Sequence, residues 1–504
     1  ETVGVIMLKF SKVRYLFTFA GFLGFFTIYT IRVNINVAIV AMVNSTVYVH
    51  SNTTSGDECK VPTDDLPINS SNHDQIKDGE FYWSPSLQAT ILGSFYYGYC
   101  VSQIPGGRLA EMYSGKWVFG IGTFITALLT LLTPMAARYS VDVLIAIRVL
   151  EGLAQGVTMP AMHSMLGRWL PDSEKAFLST IIYCGIHIGT VVTLFVSGLL
   201  CDSEFLEGWP SAFYVSGILG CVWFLLWSLF VTDSPHTHPF ITKTELQLIT
   251  SDQKIKSNVK LPSIPWRKIL TSLPFWALVI AQVGGDWSFY TVLNDLPTYF
   301  STILHFPIKQ NGFLSSYPHL IQPAVGILVG FTSDTLLRKK IVSTNFVRKF
   351  CTAACGFGQA LAFIGVCFAG CDFTLNVVFF TCAIVIGGFY YSGYNLTHLD
   401  LSPEYAGTLM GVTNTLSNIP GFLAPFVVGA LTEHQQTLHQ WKIIFGIVIV
   451  VLIVSTLFYI IFSSAEKQDW ITQEEQKSIL DFAQEPSAQN SSNESNEEKI
   501  SVHM

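Results

Sequence analysis

The chain has 504 residues, of which 50% are hydrophobic and only 12% are charged, and its mean hydropathy is +0.44. Soluble globular proteins carry roughly 25% charged residues, so lipid must cover most of a chain this long and this poor in charge. The formal net charge is −7 and no stripe of Lys and Arg is present, which argues against a nucleic-acid partner.

Long apolar segments recur along the chain, each long enough for a membrane-spanning helix of about 20 residues. The first is too long for the apolar core of a signal peptide. Continuous segments of this length also exclude an outer-membrane barrel, whose strands span about ten residues. We predict an all-α membrane protein with 12 transmembrane helices, at residues 15–43, 86–110, 117–138, 141–169, 176–201, 211–231, 273–300, 312–333, 349–370, 375–398, 404–432 and 441–464.

Basic residues indicate the orientation, because cytoplasmic loops are enriched in Lys and Arg. They cluster near the N-terminus, in the segment 232–272 and after the eighth span. We therefore predict cytoplasmic termini and place the acidic loop 44–84 on the outer face. This loop carries three N-x-S/T sequons, at Asn44, Asn52 and Asn69, which favour glycosylation. The predicted parts are an N-terminal half at 1–231, a cytoplasmic linker at 232–272, a C-terminal half at 273–465 and a disordered tail at 466–504.

The ten cysteines contain no CxxC pair, and most lie in apolar runs, which is typical of small buried hydrophobic residues. Cys59 and Cys201 both fall in or beside predicted outer loops, so a disulfide between them is one hypothesis.

The two predicted halves share a short pattern. GRLAEMYSGK begins at Gly107 at the end of the second span, and GFTSDTLLRK begins at Gly330 at the end of the eighth. Each places an acid, Glu111 or Asp334, four residues after the glycine and a base within five more. Two six-helix repeats with a site at the midplane between them are a transporter architecture.

Charged residues inside spans 1 and 4 are the first candidates for the site, because a buried charge in a membrane is costly and is usually functional. Tyr29, Arg32 and Asn36 share one face of span 1, and Arg148, Glu151 and Gln155 share one face of span 4. The arginines would bind a carboxylate or phosphate group, and Glu151 would neutralise Arg148 or carry a proton. The alternative is a permanent structural ion pair.

Three further spans hold weaker candidates. Asp286 lies near the middle of span 7 beside two glycines, and could bind a proton or sodium ion or pair with Arg32. In span 10, Tyr391, Tyr394, Asn395 and His398 would share a face and bind hydroxyl or carboxylate groups, with helix packing as the alternative. His163 in span 4 is either a proton relay or a packed core residue.

Longer motifs carry a family resemblance over spans 1 to 12. They are RVNINVAIV from Arg32, QIPGG from Gln103, RVLEGLAQGVTMP from Arg148, MPAMH from Met159, NGFLSS from Asn311, Gly387-Gly388 and His398-Leu-Asp400. With the repeated loops, these motifs resemble the major facilitator superfamily, and within it the anion-transporter family of sialin, the vesicular glutamate transporters and the sodium–phosphate cotransporters. The sequence around His163 and Asn311 is most similar to that of sialin-like members.

The resemblance implies a major facilitator fold in two six-helix halves and transport of small anions by alternating access, with Arg32 and Arg148 facing the substrate. Glutamate transporters carry His and Arg where this chain has Leu92 and Gly285, which disfavours glutamate. Sialin carries a second acid where this chain has Gln155, so the coupling residues of this chain are an incomplete set.

The leading hypothesis is a secondary transporter of sialic-acid-like carboxylates coupled to H⁺; the alternative is phosphate cotransport coupled to Na⁺. We expect no cofactor, a monomer in the lipid bilayer, and a lysosomal, vesicular or plasma membrane location. A channel and a membrane enzyme are less favoured, because neither a selectivity loop nor an HExxH or Gly-x-Ser-x-Gly motif is present.

Overall fold

The computed structural model describes residues 12–43, 79–250, 264–304, 314, 317–432, 437–468 and 470. Within these ranges the chain is helical, and its one β contact is an isolated bridge between Val43 and Phe81. Helices satisfy their own backbone hydrogen bonds, which is what a chain in hydrocarbon requires. The predicted sequons at Asn44, Asn52 and Asn69 lie outside the described residues.

The N-terminal half contains six membrane-spanning segments. They are α1 (Val13–Met42), α2 (Pro85–Leu109), α3 (Gly115–Tyr139), α4 and α5 (Val141–Gly156 and Thr158–Trp169, which together form span 4), α6 (Lys175–Asp202) and α7 (Trp209–Phe230). Small polar residues fix several helix starts, because their side-chain oxygens accept a backbone N–H that has no partner inside the helix. Ser84, Ser114 and Ser140 cap α2, α3 and α4 in this way.

Two short helices in the linker, α8 (Lys243–Thr250) and α9 (Trp266–Leu270), precede the C-terminal half. Its six spans are α10 (Leu273–Thr302), α11 (Pro318–Arg338), α12 (Thr344–Ala369), α13 and α14 (Phe373–Ile386 and Thr397–Leu401, span 10), α15 and α16 (Ala406–Ser417 and Ile419–Thr432, span 11) and α17 (Leu438–Phe462). All predicted spans correspond to these segments, with ends that differ by a few residues.

Nine helical segments in the described ranges are long and apolar enough to cross a membrane, and one of them, Leu87–Tyr139, contains both span 2 and span 3. Spans 4 and 7 are not among the nine. Both carry buried charged or polar side chains, such as Arg148 and Glu151 in span 4 and Gln282 in span 7. The two spans that depart from the apolar pattern therefore hold much of the intramembrane chemistry.

Span 10 is interrupted, which corrects the prediction that its polar residues share one helical face. Two 3₁₀ turns, Gly387–Tyr391 and Tyr394–Leu396, separate α13 from α14. Glycine is needed on this path because a neighbouring helix comes close: a Cβ on Gly393 would lie 2.7 Å from Thr352 Oγ1 of α12. Such interruptions of a helix often mark functional regions.

The repeated acids join the two halves at the face where α1 begins and α17 ends, which we call the terminal face. Glu111 accepts hydrogen bonds from the backbone N–H and the hydroxyl of Thr408, at 2.5 and 2.6 Å. Asp334 accepts from the backbone N–H groups of Ala176 and Phe177, at 3.2 and 2.7 Å. Each carboxylate thus binds the first turn of a helix in the other half, where the helix dipole favours negative charge.

The beginning of the tail is packed, in contrast to the predicted disorder from residue 466. Trp470 is 5% exposed and lies in an apolar cluster with Ile269, Phe275 and Leu401. The Gln468 N–H donates to the Leu401 carbonyl at 2.9 Å, and Lys467 pairs with Glu404. Lys268 Nζ also donates to the Trp470 carbonyl at 3.1 Å.

Two observations bear on the face opposite the terminal face. Arg138 donates to both carboxylate oxygens of Glu80, at 3.1 and 2.9 Å, and this hydrogen bonding lowers the pKa of Glu80. The hypothesis of a disulfide at Cys201 is wrong, because Cys201 is a free thiol, whereas Cys371, just before α13, is disulfide-bonded. Cys59 lies outside the described residues.

Candidate functional site

A cavity of about 150 Å³ lies between the two halves, and helices of both halves form its wall. Tyr29 and Arg32 reach it from α1, Asp286 reaches it from α10, and Asn395 reaches it from the turns of span 10. With Tyr394, which also lines the cavity, the structure therefore brings together five of the residues that the sequence singles out, from three different spans. A cavity between repeats at the middle of a bundle is where transporters of this architecture bind their substrates.

Arg32 carries a positive charge that lies among aromatic rings. Its guanidinium carbon lies 4.7–5.4 Å from the ring centroids of four aromatic residues, Tyr29, Phe95, Tyr96 and Tyr99. Within the described residues, no Asp or Glu oxygen lies within 4.0 Å of it, the limit for an ion pair. Aromatic faces attract a cation but do not neutralise it. The guanidinium is therefore available to an anion in the cavity.

Asp286 lies on the C-terminal half of the same cavity, beside the hydroxyl of Ser417. Gly284 and Gly285 lie inside α10, which runs without a break from Leu273 to Thr302. The glycines allow close packing: a Cβ on Gly284 would lie 2.1 Å from Ser455 Oγ, and one on Gly285 would lie 2.4 Å from the Tyr394 hydroxyl.

Amide side chains form much of the remaining wall. Gln282 donates to Asn414 Oδ1 at 3.3 Å and to Ser417 Oγ at 3.1 Å, and Asn414 donates across to Gln103 Oε1 of the other half at 2.5 Å. The Gln282 Oε1 and Asn395 Nδ2 atoms are buried and have no hydrogen-bond partner in the part of the chain that the structure describes. Buried polar atoms are rarely left unpaired, so Gln282 Oε1 suits a hydrogen-bond donor of a ligand and Asn395 Nδ2 suits an acceptor.

Arg148 and Glu151 do not reach the cavity wall. Arg148 Nη1 lies 2.5 Å from Glu151 Oε2, and both side chains are at most 4% exposed. Glu151 Oε1 also accepts hydrogen bonds from Thr130 and Thr133 on α3, at 2.9 and 3.3 Å. The pair is enclosed in the N-terminal half. In this conformation the arrangement agrees with the alternative that the two residues form a structural ion pair. Contact of Arg148 with substrate remains a prediction.

One aromatic ring links the two arginines. The Phe95 centroid lies 4.9 Å from the guanidinium carbon of Arg32 and 5.2 Å from that of Arg148. Phe95 is 1% exposed. The enclosed ion pair and the cavity are therefore one side chain apart.

His163 connects the halves next to the cavity. Its Nδ1 lies 2.6 Å from the Tyr183 hydroxyl, its Nε2 lies 3.4 Å from the Asn395 carbonyl, and its ring meets that of His398 edge to face at 5.2 Å. His398 in turn lies 2.8 Å from the Thr413 hydroxyl. Both histidines are fully buried, so their hydrogen-bonding needs are met inside the protein.

Two further predicted residues lie away from the cavity wall. Tyr391 is fully buried behind the wall, because the 3₁₀ turns of span 10 turn it away from Tyr394 and Asn395. Asn36 is exposed and is not among the lining residues. It shares a face with Arg32 but stands four residues further along α1, about 6 Å nearer the opposite face.

Several cavity residues escaped the sequence analysis. His187, Gln282, His319, Gln322, Asn414 and Asn418 all line the cavity. Asn414 and Asn418 are spaced by one helical turn, and Gln282 precedes Asp286 by the same interval, which is a detectable signal. His187 and His319 are single polar residues in apolar segments and carry no such pattern.

Comparison with known proteins agrees with this architecture. A profile of the Major Facilitator Superfamily matches residues 17–425. The structure of the proton:xylose symporter XylE bound to 6-bromo-6-deoxy-D-glucose has the same fold, with a TM-score of 0.66, 12% identity, and coverage of 92% of this chain and 98% of that chain. The chain belongs to the major facilitator superfamily, and it is a multi-pass membrane transporter rather than an enzyme.

Within the superfamily, the chain is similar to anion transporters, as predicted. Sialin of Ovis aries is 41% identical over 463 residues, which cover 92% of this chain and 92% of that protein. A putative inorganic phosphate cotransporter of Drosophila ananassae is 38% identical over 465 residues, which cover 91% of this chain and 95% of that protein. The chain is therefore an anion transporter of the major facilitator superfamily.

Proposed function

We propose that this protein is a secondary active transporter of small organic anions, with sialic-acid-like carboxylates as the first substrates and H⁺ as the coupling ion. The observation that carries the proposal is Arg32, a cation that has no carboxylate partner among the described residues and lines a cavity shared by both halves. Arg binds carboxylates through paired, charge-assisted hydrogen bonds, so Arg32 would hold the carboxylate of the substrate.

The opposite wall supports a substrate that also carries hydroxyl groups. Gln282, Asn395 and Asn414 supply amide donors and acceptors, and Tyr394 supplies a phenolic hydroxyl. Amides can both donate to and accept from a hydroxyl, which suits a polyhydroxylated acid better than a compact inorganic ion. Similarity to sialin points the same way.

Alternating access supplies the transport cycle in this proposal. The contacts of Glu111 and Asp334 with the opposite halves would hold the terminal face closed while substrate enters the cavity. Release on the other side would require these contacts to break as the halves rock about the site. Protonation of Glu151 would remove the charge that holds Arg148, and Asp286 is a second acid that could carry the proton.

Sodium-coupled phosphate cotransport is the second candidate, and it is favoured by the similarity to the putative inorganic phosphate cotransporter. A guanidinium also binds phosphate, so Arg32 serves both proposals. The proposed location is a vesicular, lysosomal or plasma membrane with both termini in the cytoplasm.

The test is uptake of labelled N-acetylneuraminate into proteoliposomes under either a proton or a sodium gradient, with glutamate and phosphate as competitors. We expect proton-driven uptake that falls about 10-fold or more in Arg32→Gln, because a hydrogen bond to a charged group contributes about 1.5–3 kcal/mol. Arg267→Gln is the matched control, since Arg267 is exposed and lies outside the cavity.

Glu151→Gln tests the coupling ion in the same assay. Proton-driven accumulation should collapse in this variant while exchange of substrate between equal pools continues. Sodium-driven phosphate uptake without N-acetylneuraminate uptake would instead establish the second candidate.

A further inference from the structure

Two histidines that the proposed mechanism does not use face each other across the cavity. His187 comes from α6 in the N-terminal half and His319 comes from α11 in the C-terminal half, and both line the cavity. Their ring centroids are 6.1 Å apart and their planes differ by 13°, so the rings are stacked. The pair therefore spans the interface between the two halves.

The surroundings of the pair are mainly aromatic. The Tyr391 ring meets His187 edge to face at 6.2 Å, and the Phe289 ring meets His319 in the same way at 6.4 Å. Among the described residues, no Asp or Glu oxygen lies within 4.0 Å of either imidazole. The other titratable or charged groups on the cavity wall are Tyr29, Arg32, Tyr99, Tyr183, Asp286, Tyr290, Cys355, Tyr390 and Tyr394, and Cys184 lies one turn from His187.

These surroundings define what the pair can bind. Imidazole is the side chain that changes charge between about pH 5 and pH 8. Two neutral rings stack favourably, whereas two imidazolium rings repel each other unless an anion lies between them. No carboxylate of the described residues is in contact with the pair, so we expect that anion to come from the cavity.

We propose that His187 and His319 form a second anion-recognition site, which binds a carboxylate or phosphate group between the two halves when the cavity is acidic. The proposal rests on the proposed function and adds a proton-dependent contact to it. Arg32 is charged at every physiological pH and attracts an anion regardless of acidity. The histidine pair attracts one only after protonation.

Proton and anion binding are therefore coupled at this site. If protonation strengthens anion binding, anion binding must promote protonation by the same factor. Because each half contributes one imidazole, a bound anion also draws the halves together at the cavity. An acidic compartment would load the site, and a neutral one would release it.

The test is anion binding to the purified full-length protein by titration calorimetry, at roughly pH 5 and pH 7.5 on either side of imidazole titration. The probes are N-acetylneuraminate and, separately, inorganic phosphate. We expect the wild-type affinity for at least one probe to rise about tenfold on acidification, a coupling of ordinary size. The probe that shows the rise identifies the oxyanion.

Glutamine substitutions separate charge from packing, since the amide keeps hydrogen bonding but does not titrate. His187→Gln and His319→Gln should each reduce the rise in affinity, and the double variant should abolish it while leaving the affinity at about pH 7.5 within roughly twofold. His439→Gln, an exposed histidine at the start of α17, should behave as wild type. A full rise in affinity in the double variant would overturn the proposal, as would lowered thermal stability with unchanged pH dependence.

Failure of the histidine site and failure of the proposed transport function would give different results. Arg32→Gln should weaken anion binding at both pH values, whereas the histidine variants should remove only the pH dependence. Binding with this pattern, in a protein that does not transport N-acetylneuraminate, would support the histidine site and reject that substrate. Absence of binding of either probe to the wild-type protein at both pH values would overturn both.

Discussion

At the residue scale, Arg32 and Arg148 have different environments. Arg32 lines the cavity among aromatic side chains, with no carboxylate of the described residues within ion-pair distance, whereas Arg148 is paired with Glu151, which also accepts hydrogen bonds from two threonines. A buried pair need not stabilise a protein relative to apolar residues, but removing one partner leaves an uncompensated charge. The sequence indicates that burying either charge in the membrane is energetically costly, but it does not show which arginine has a carboxylate partner.

The pair predicts an asymmetric response to substitution. Glu151→Gln should lower the stability of the detergent-solubilised protein by about 3 kcal/mol, because Arg148 then has no counter-charge. The double variant Arg148→Met/Glu151→Leu should recover most of this loss. Chemical denaturation followed by tryptophan fluorescence measures the effect.

The control is Glu80→Gln, which breaks a pair whose side chains are 41% and 40% exposed. An exposed pair contributes at most about 1 kcal/mol, since solvent screens it. Equal effects of Glu151→Gln and Glu80→Gln would contradict the burial argument.

At the scale of the helices, glycine decides how closely α2 and α4 approach. A Cβ added to Gly98 would lie 2.0 Å from the Val149 carbonyl oxygen, and one added to Gly152 would lie 1.9 Å from the Phe95 carbonyl oxygen. Small residues at such positions let backbones pack directly, which drives helix association in membranes. Close packing of these helices also positions the aromatic rings of α2 around Arg32.

Gly152→Ala should therefore destabilise the protein by about 1–3 kcal/mol, because the methyl group cannot fit without moving a helix. Gly93→Ala on α2 is the matched control, since an added Cβ there meets nothing within 4 Å. That substitution should be neutral or stabilising by up to about 1 kcal/mol. Thermal unfolding of both variants distinguishes the two sites, and a stable Gly152→Ala protein would reject the packing argument.

At the scale of the whole molecule, the short repeat in the sequence acquires a physical meaning. Glu111 and Asp334 occupy equivalent places at the ends of spans 2 and 8, and each binds the first turn of a helix in the opposite half. The sequence indicates the repeat, and the structure identifies its binding partner. Closure of the terminal face thus depends on two carboxylates with matching roles.

The double variant Glu111→Gln/Asp334→Asn should therefore shift the protein away from this closed state. Fluorophores on unnatural amino acids at the exposed positions 113 and 341, one in each half, report the separation by single-molecule energy transfer. We expect a larger mean separation, because an amide interacts less favourably with a helix N-terminus than a carboxylate does. Glu404→Gln, at a pair on the same face within one half, should leave the distribution unchanged; a matching shift there would contradict the assignment.

The sequence predicts the membrane spans and some of the residues that line the cavity, but not the others. The reason is physical. Apolar length and buried charge are properties of a segment, so twelve helices, Arg32 and Asp286 follow from composition and depth. The direction in which a single polar side chain points depends on packing between helices. The sequence therefore does not reveal that His187, His319 and the amide residues line the cavity. For the same reason, Asn36 and Tyr391 do not lie where the sequence predicts.

Trp470 has a practical consequence for anyone who shortens or tags this protein. The hydrophobic pattern ends near residue 465, which would make that point a natural place to cut the gene or attach a reporter. Yet the indole of Trp470 packs among Ile269, Phe275 and Leu401, and its removal would expose these apolar side chains of the C-terminal half. Fusion partners belong after residue 470, where the anchor is left intact.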